Sequence, residues 1–305
     1  AVDSALFRGI PHDYDGDDFV GSTPLENRHG IEHPMQGFPL FETALWAASG
    51  KNLNTYLKGV GQMWAGFSRV AAGHPHAWSR AVRTWEEIVT PGPANRPIAF
   101  PYPKFMNAFV SVDQGAAVLL MAETCAEKLK PDTRNRVYFA GGGYAEDRQR
   151  FLIEKSDFTT SAPLKEAVNK ALDRSGMTLD TIDSLDLYAC FPCAVSIARK
   201  MLNLSENDHR ALTLTGGLGF FGGPGNNYNL HAVVTLADQI ASGRVASGLV
   251  TALGWFMHKH AAGVYCSRPI RPVDGCHDLE DQRAPLVGDP PLPVEEQVSG
   301  RGIIE

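Results

Sequence analysis

The sequence predicts an α/β protein, a mixed five-stranded sheet layered with helices and preceded by a helical region. Three observations predict it. From residue 136 onward, short β-prone apolar runs alternate with helical patterns, which implies a sheet covered on both faces. Between residues 53 and 70, apolar side chains recur every three or four positions, as on one face of a helix. The composition is 44% hydrophobic and 20% charged over 305 residues, enough apolar surface for a core without a metal or disulfide.

The elements follow in order. Residues 1–34 carry acidic and Gly/Pro-rich stretches with little periodicity, and "DYDGDD" at 13–18 lacks the glutamate that a calcium loop needs at its twelfth position. Residues 35–100 read as helical: "FPLFETALWAASG", then a long helix whose stripe is Leu53, Tyr56, Leu57, Val60, Met63, Trp64, Phe67 and Val70. Five prolines between 91 and 103 make the following stretch a loop. Residues 112–128 are rich in small residues and predict a buried helix with Cys125 in the core. Then "VYFAGGG" predicts a strand. The helix "SAPLKEAVNKALDRSG" has Ser161 as N-cap, Pro163 in its first turn and Gly176 beyond its end. "DSLDLYA" is a strand, "PCAVSIARKML" a helix with Pro192 near its start, and "LTLTGG" a short strand. "NNYNLHAVVTLADQIASG" is a helix capped by Asn226 or Asn227 and closed by Gly243, before the final strands "SGLVTAL" and "AGVYCSR". Residues 271–305 form a Pro-rich acidic linker, and both termini read as cuts within a longer protein.

Bulk properties narrow the function. A net charge of −6 gives no basic footprint for nucleic acid. No apolar run approaches a membrane span, and the polar, acidic start is unlike a signal peptide. Five cysteines without a disulfide-like frame fit a reducing cytoplasm. Cys190 and Cys193 have redox or zinc spacing but no second pair, His74 and His76 lack accompanying carboxylates, and no metal site is expected.

The stretch 212–232, "LTLTGGLGFFGGPGNNYNLHA", holds six glycines between Gly216 and Gly225 and runs straight into a helix. Bare backbone so arranged presents N–H groups and a positive dipole end, which suits an oxygen on which negative charge develops. The other reading is that these glycines only pack helix against sheet.

The second half resembles the C-terminal half of a thiolase. "IDSLDLYACFPCAV" resembles the Asn-Glu-Ala-Phe motif, and Cys190-Phe191 match the last two residues of the His-Asp-Cys-Phe form found in sterol-carrier-protein type thiolases. "GGLGFFGGPGNN" resembles the Gly-His-Pro-x-Gly loop, with Gly222, Pro224 and Gly225 in register. "SVDQGAAVLLMAETCAEKL" is similar to the helix that closes the N-terminal half, and 35–100 to the loop domain that covers coenzyme A. The subgroup resembled is that of thiolase-like acetyl-CoA acetyltransferases, whose ends read much like "KHAAGVYCSRP". The resemblance makes 1–34 a remnant of the N-terminal half, 101–135 its end, 136–270 the C-terminal half and 271–305 a linker toward an extra domain.

Against that family the usual chemistry is missing. The loop histidine position is Gly223, the second cysteine would fall near 252–254 in "TALGW", and the motif Asn or His is Tyr188. The expected site therefore has Tyr188, His258 and His260 as catalytic groups, since imidazole serves as acid or base near neutrality. Gly222, Gly223, Gly225 and Asn226 form the expected oxyanion loop. Asn107 and Ser111, with Phe100 and Tyr102, are candidates to line a pantetheine tunnel. The function implied is acyl transfer, or carbon–carbon bond making or breaking, on a coenzyme A thioester as substrate and with no cofactor. Two alternatives stay open: a retro-aldol lyase on β-hydroxyacyl-CoA and a non-catalytic CoA-binding or scaffold subunit. The resemblance implies a homodimer, or a hetero-oligomer with another thiolase-like or accessory chain.

Overall fold

The computed structural model describes residues 21–129, 136–270, 286–297 and 299–301. The acidic run at 13–18, Cys276 and most of the linker lie outside them. Four helices come first: α1 (Pro24–Arg28), α2 (Pro34–Ser49), α3 (Leu53–Gly73) and α4 (Trp85–Val89). Each starts where the sequence offers a cap or a proline. The Asn52 side chain accepts the Thr55 amide ahead of α3, and Pro34 opens α2. The stripe on α3 buries Val60, Trp64 and Phe67, and Trp64 stacks on Phe67 with ring centroids 4.8 Å apart. A two-stranded ribbon, β1 (Pro97–Ala99) with β2 (Tyr102–Pro103), closes this region.

The predicted helix at 112–128 shrinks to α5 (Glu123–Leu129), and Cys125 is exposed rather than in the core. The reason is non-local. The Phe109 amide donates to the Leu218 carbonyl and the Gly223 amide to the Phe109 carbonyl, so this chain is drawn out along the glycine loop. Gln114 Nε2 fastens it further, donating to the carbonyls of His76 and Phe221. Leu119 and Leu120 are both 81% exposed, so no apolar contact rewards a helix there.

The sheet holds β3 (Tyr138–Asp147), β4 (Ser184–Asp186), β5 (Ser247–Gly254), β6 (Lys259–Cys266) and β7 (Leu286–Val287), ordered β4-β5-β6-β3-β7. β4 runs parallel to β5 and β7 to β3, while the β5–β6 and β6–β3 pairs are antiparallel. Five mixed strands match the expected number, but not the expected set. Residues 212–215 form no ladder beyond the Leu187 amide bonding the Leu212 carbonyl, and the fifth strand comes from the segment read as linker.

Helices cover both faces. α6 (Ala162–Ser175) packs so closely on β3 that a Cβ on Gly143 would overlap the Ala167 carbonyl. On the other face, Leu236 of α9 (Tyr228–Ala241) occupies the space that a Cβ on Gly248 would need. α7 (Pro192–Met201) lies against α2, where Phe38 stacks on Phe191 at 4.6 Å. A single turn, α8 (Gly217–Phe220), joins α3 to the glycine loop. One large core runs through the helical region and the sheet, and a smaller cluster of Leu214, Ala232, Leu236, Ile240 and Val250 sits under α9.

Candidate functional site

A cavity of about 270 Å³ opens on the α9 face of the sheet. Its wall includes Tyr188 just past β4, Gly225 and Asn226 ahead of α9, Asn229 in its first turn, and Ala252, Gly254 and Lys259 of the β5–β6 hairpin. Four expected site residues line it, Tyr188, Gly225, Asn226 and, through its backbone strand, His260. Asn229 and Lys259 were missed. Lys259 was legible by strand alternation: residues 259 and 261 face the side that 258 and 260 do not.

Local structure sets each group. Tyr188 is held by its amide, which donates to Thr251 Oγ1 at 2.9 Å, and its ring meets Tyr228 edge-on at 5.5 Å. Burial pushes its phenol well above the ordinary value, and the neighbouring Cys190 adds to that, so Tyr188 is a neutral donor at pH 7. Asn229 Nδ2 donates to the Thr251 carbonyl at 2.8 Å. Lys259 crosses the bare Gly254, where a Cβ would collide with its side chain. A turn of 3₁₀ helix, Gly225–Asn227, precedes α9, and Gly225 takes φ +62°, which a glycine tolerates without strain. Neither asparagine caps α9 through its side chain as expected: Asn227 Nδ2 instead reaches the Gln114 carbonyl and His231 Nε2, each at 3.3 Å.

The other expected residues lie elsewhere. Gly222 and Gly223 are packed under the 109–114 chain, and the Gly223 amide is taken by the Phe109 carbonyl at 2.8 Å. Gly222, at φ +126°, makes the turn that permits this contact. Of the expected oxyanion loop, only the second half, Gly225 and Asn226, lines the cavity. His260 belongs to the cavity wall, yet its imidazole points to the opposite face of the sheet. It pairs in register with Ala145, two residues from the Gly143 that touches α6, and its Nε2 lies 3.2 Å from Oγ of Ser161, the α6 N-cap. Burial, with the cation of Lys155, holds its pKa down to about 3. His258 is buried in the hairpin turn, away from the cavity wall, and burial with Lys259 nearby lowers it to about 3 as well. The expectation that the two imidazoles flank the glycine turn is corrected on this geometry: strand pleating sends His260 to the α6 side, and His258 is enclosed by the turn.

Asn107 is buried with its amide on the Pro103 carbonyl, while Ser111 is exposed, and neither reaches the cavity. Tyr102 donates to the buried Glu42 at 2.5 Å, and Tyr56 shares that carboxylate, so Tyr102 lines no tunnel. Phe100 is 62% exposed. Cys190 and Cys193 are buried, and burial raises Cys190 to about 12 and Cys193 well above the ordinary thiol value, so neither is a thiolate at neutral pH. Among the described residues no three His, Cys, Asp or Glu side chains are grouped to hold a metal. His74 bonds Thr235 at 3.0 Å and packs edge-on against Phe221.

A larger groove of about 880 Å³ runs between α3 and the 205–213 loop. Its Arg210 is consumed by Asp208 and by the Leu179 and Ile182 carbonyls. The groove contains none of the expected catalytic or loop residues, so size alone does not make it the better candidate.

A monomeric SCP2-thiolase-like protein, type 1, from Mycobacterium smegmatis superposes with a TM-score of 0.77 and 35% identity, covering 83% of this chain. This chain is thiolase-like, of the SCP2 type. It spans 56% of the length of that neighbour. The Ltp2–ChsH2(DUF35) aldolase shares the fold at TM-score 0.63 and 15% identity, covering 80% of this chain and 66% of its own. No family model and no curated protein matches the sequence. Among the described residues no helix is long and apolar enough to cross a membrane.

Proposed function

We propose that this thiolase-like chain binds the thioester end of an acyl-CoA in the α9-face cavity and serves carbon–carbon bond chemistry or acyl transfer on it. The observation that carries the reading is the convergence of neutral donors, Tyr188, Asn226 and Asn229, with one cation, Lys259, in a single cavity. Such a set polarises a thioester carbonyl and stabilises an enolate without a proton being transferred in advance. In this reading Tyr188 hands over the proton, and the Gly225–Asn226 turn receives the oxygen. No side chain in the wall is a thiol. Acetyl transfer by a covalent route therefore requires a nucleophile from outside this wall.

A retro-aldol reading needs no covalent nucleophile, and the neutral phenol beside a lysine favours it for this half of the site. A β-hydroxyacyl-CoA would lose its hydroxyl proton to a base supplied from outside this wall, break its Cα–Cβ bond to release an aldehyde or ketone, and leave an enolate that the donors hold until Tyr188 protonates its carbon. The aldolase neighbour is named with a second chain. We extend to this chain the hetero-oligomer, or alternatively a homodimer, as an assembly in which an outside group completes the cavity. Acetoacetyl-CoA and a β-hydroxyacyl-CoA assayed beside an acetyl-CoA titration separate the readings. Cleavage of the first supports acyl transfer and of the second the lyase. Binding without turnover supports the non-catalytic subunit, and no binding removes the proposal.

A further inference from the structure

Behind the cavity lies a buried polar network that neither reaction reading uses. Asp186, the last residue of β4, is fully buried. Its Oδ2 accepts the Leu214 amide at 2.8 Å and the Thr213 hydroxyl at 3.1 Å. Thr213 Oγ1 in turn accepts the amides of Thr215 at 3.3 Å and Gly216 at 3.0 Å. Thr215 Oγ1 accepts the Gly217 amide at 3.3 Å and lies 2.8 Å from the hydroxyl of Tyr228, the first residue of α9. On its other side, the Asp186 carbonyl accepts the Thr251 hydroxyl at 3.3 Å, and Thr251 holds both the Tyr188 amide and the Asn229 side chain. The second carboxylate oxygen, Oδ1, is buried without a hydrogen-bond partner among the described residues.

A buried carboxylate with one idle oxygen is expensive, and an apolar residue at the end of a short strand would avoid that cost. Its retention here is explained by what Oδ2 organises. The segment leading into the glycine loop, 212–215, has no ladder of its own, so side-chain hydrogen bonds must fix it. We propose that Asp186 is the positioning residue of the cavity, setting through Thr213 the Gly216–Gly217 turn and the start of α9 that together carry Gly225 and Asn226 to face Tyr188. The inference rests on the thioester reading for its ligand, but not for its geometry. Burial pushes the Asp186 carboxyl up to about 7, against the restraining bonds from the Leu214 amide and the Thr213 hydroxyl. The titratable groups facing it are the phenols of Tyr228 on α9 and Tyr188 behind it, both raised by burial and neutral through pH 8. Ionisation of Asp186 converts its two bonds into charge-assisted ones, so the turn tightens as pH rises through neutrality.

The experiment has two arms. Acetyl-CoA is titrated into the wild-type protein, Asp186→Asn, Asp186→Ala and Thr213→Val at pH 6 and pH 8, and amide exchange is followed on the ligand-free proteins. Wild-type affinity is expected to rise several-fold from pH 6 to pH 8. Asp186→Asn, which keeps an acceptor but no charge, is expected to match the wild type at pH 6 and to show no pH dependence. Asp186→Ala and Thr213→Val are expected to lose tenfold or more in affinity at both values. In the exchange arm the Ala and Val variants are expected to speed exchange at Gly216, Gly217 and Asn226 more than tenfold, with α6 unchanged. Wild-type affinity in the Ala and Val variants, or a pH slope persisting in Asp186→Asn, would overturn the proposal. If the wild type binds no acetyl-CoA, the thioester reading fails alone, and the exchange arm decides the role of Asp186: unchanged protection of the glycine turn refutes it. Should Asp186→Ala not fold, Thr213→Val carries the same test.

Discussion

In the proposed reading, the chemistry narrows to one atom, the hydroxyl oxygen of Tyr188. Its ring is packed on Tyr228 and its amide on Thr251, so Tyr188→Phe removes the hydroxyl and nothing that holds the backbone. Turnover is predicted to fall about 10²-fold or more, the usual share of a positioned proton donor, with the melting temperature unchanged. Steady-state assay beside a thermal melt checks this. His258 and His260 make a prediction of a different kind. Both have folded pKa values near 3, below the free-histidine value, so both are buried neutral. Their contribution to stability is complete above about pH 6.5 and is lost as pH falls from there toward 3, at up to about 1.4 kcal/mol per pH unit for each. Asp186 acts with the opposite sign: its raised pKa costs stability above about pH 7 and relieves that cost as pH falls toward the ordinary carboxylate range. Urea midpoints for the wild type and His260→Asn between pH 7.5 and 4.5 should show a shallower acid slope in the variant. Identical slopes would mean that His260 titrates as it does in the unfolded chain.

At the level of elements, what the sequence disclosed depended on where each element's partners lie. α6 was legible to the residue, because its signals are local: Ser161 Oγ accepts the Leu164 amide at 3.4 Å, and Gly176 closes it at φ +64°. The stripe on α3 was legible for the same reason. Residues 112–128 were not, since their conformation is decided by Gln114 and Phe109 bonding a loop a hundred residues away. Nor was the failure of 212–215 as a strand, because Asp186 takes the Leu214 amide that a ladder would have used. The site divided likewise. Tyr188, Gly225 and Asn226, singled out through a motif, line one cavity, whereas the facing of His260 depended on pleat register that a sequence does not print. Two substitutions test these contacts. Gly143→Val forces α6 off β3 and is predicted to cost about 1–3 kcal/mol or more in a denaturant titration. Gln114→Ala removes both anchors of the drawn-out segment and is predicted to cost about 1–3 kcal/mol, with faster amide exchange at Phe109 and Gly223.

Over the whole molecule, the α9 face of the sheet is less covered than the α6 face. Phe139 is 58% and Tyr144 40% exposed on it, and the apolar run through Leu119 and Leu120 is exposed nearby in the chain. Charging the run, Leu119→Asp with Leu120→Asp, is predicted to leave stability within about 0.5 kcal/mol, as for any exposed site, while raising solubility in a light-scattering assay. The claim on which the rest depends is that the cavity bounded by Tyr188, Asn226 and Ala252 takes a thioester. Ala252→Phe fills that space from β5 without touching the core beneath α6. Calorimetric titration with acetyl-CoA should give saturable one-site binding in the wild type and none in Ala252→Phe, at equal melting temperature. Equal binding by both proteins would put the ligand, and with it the proposed function, somewhere else.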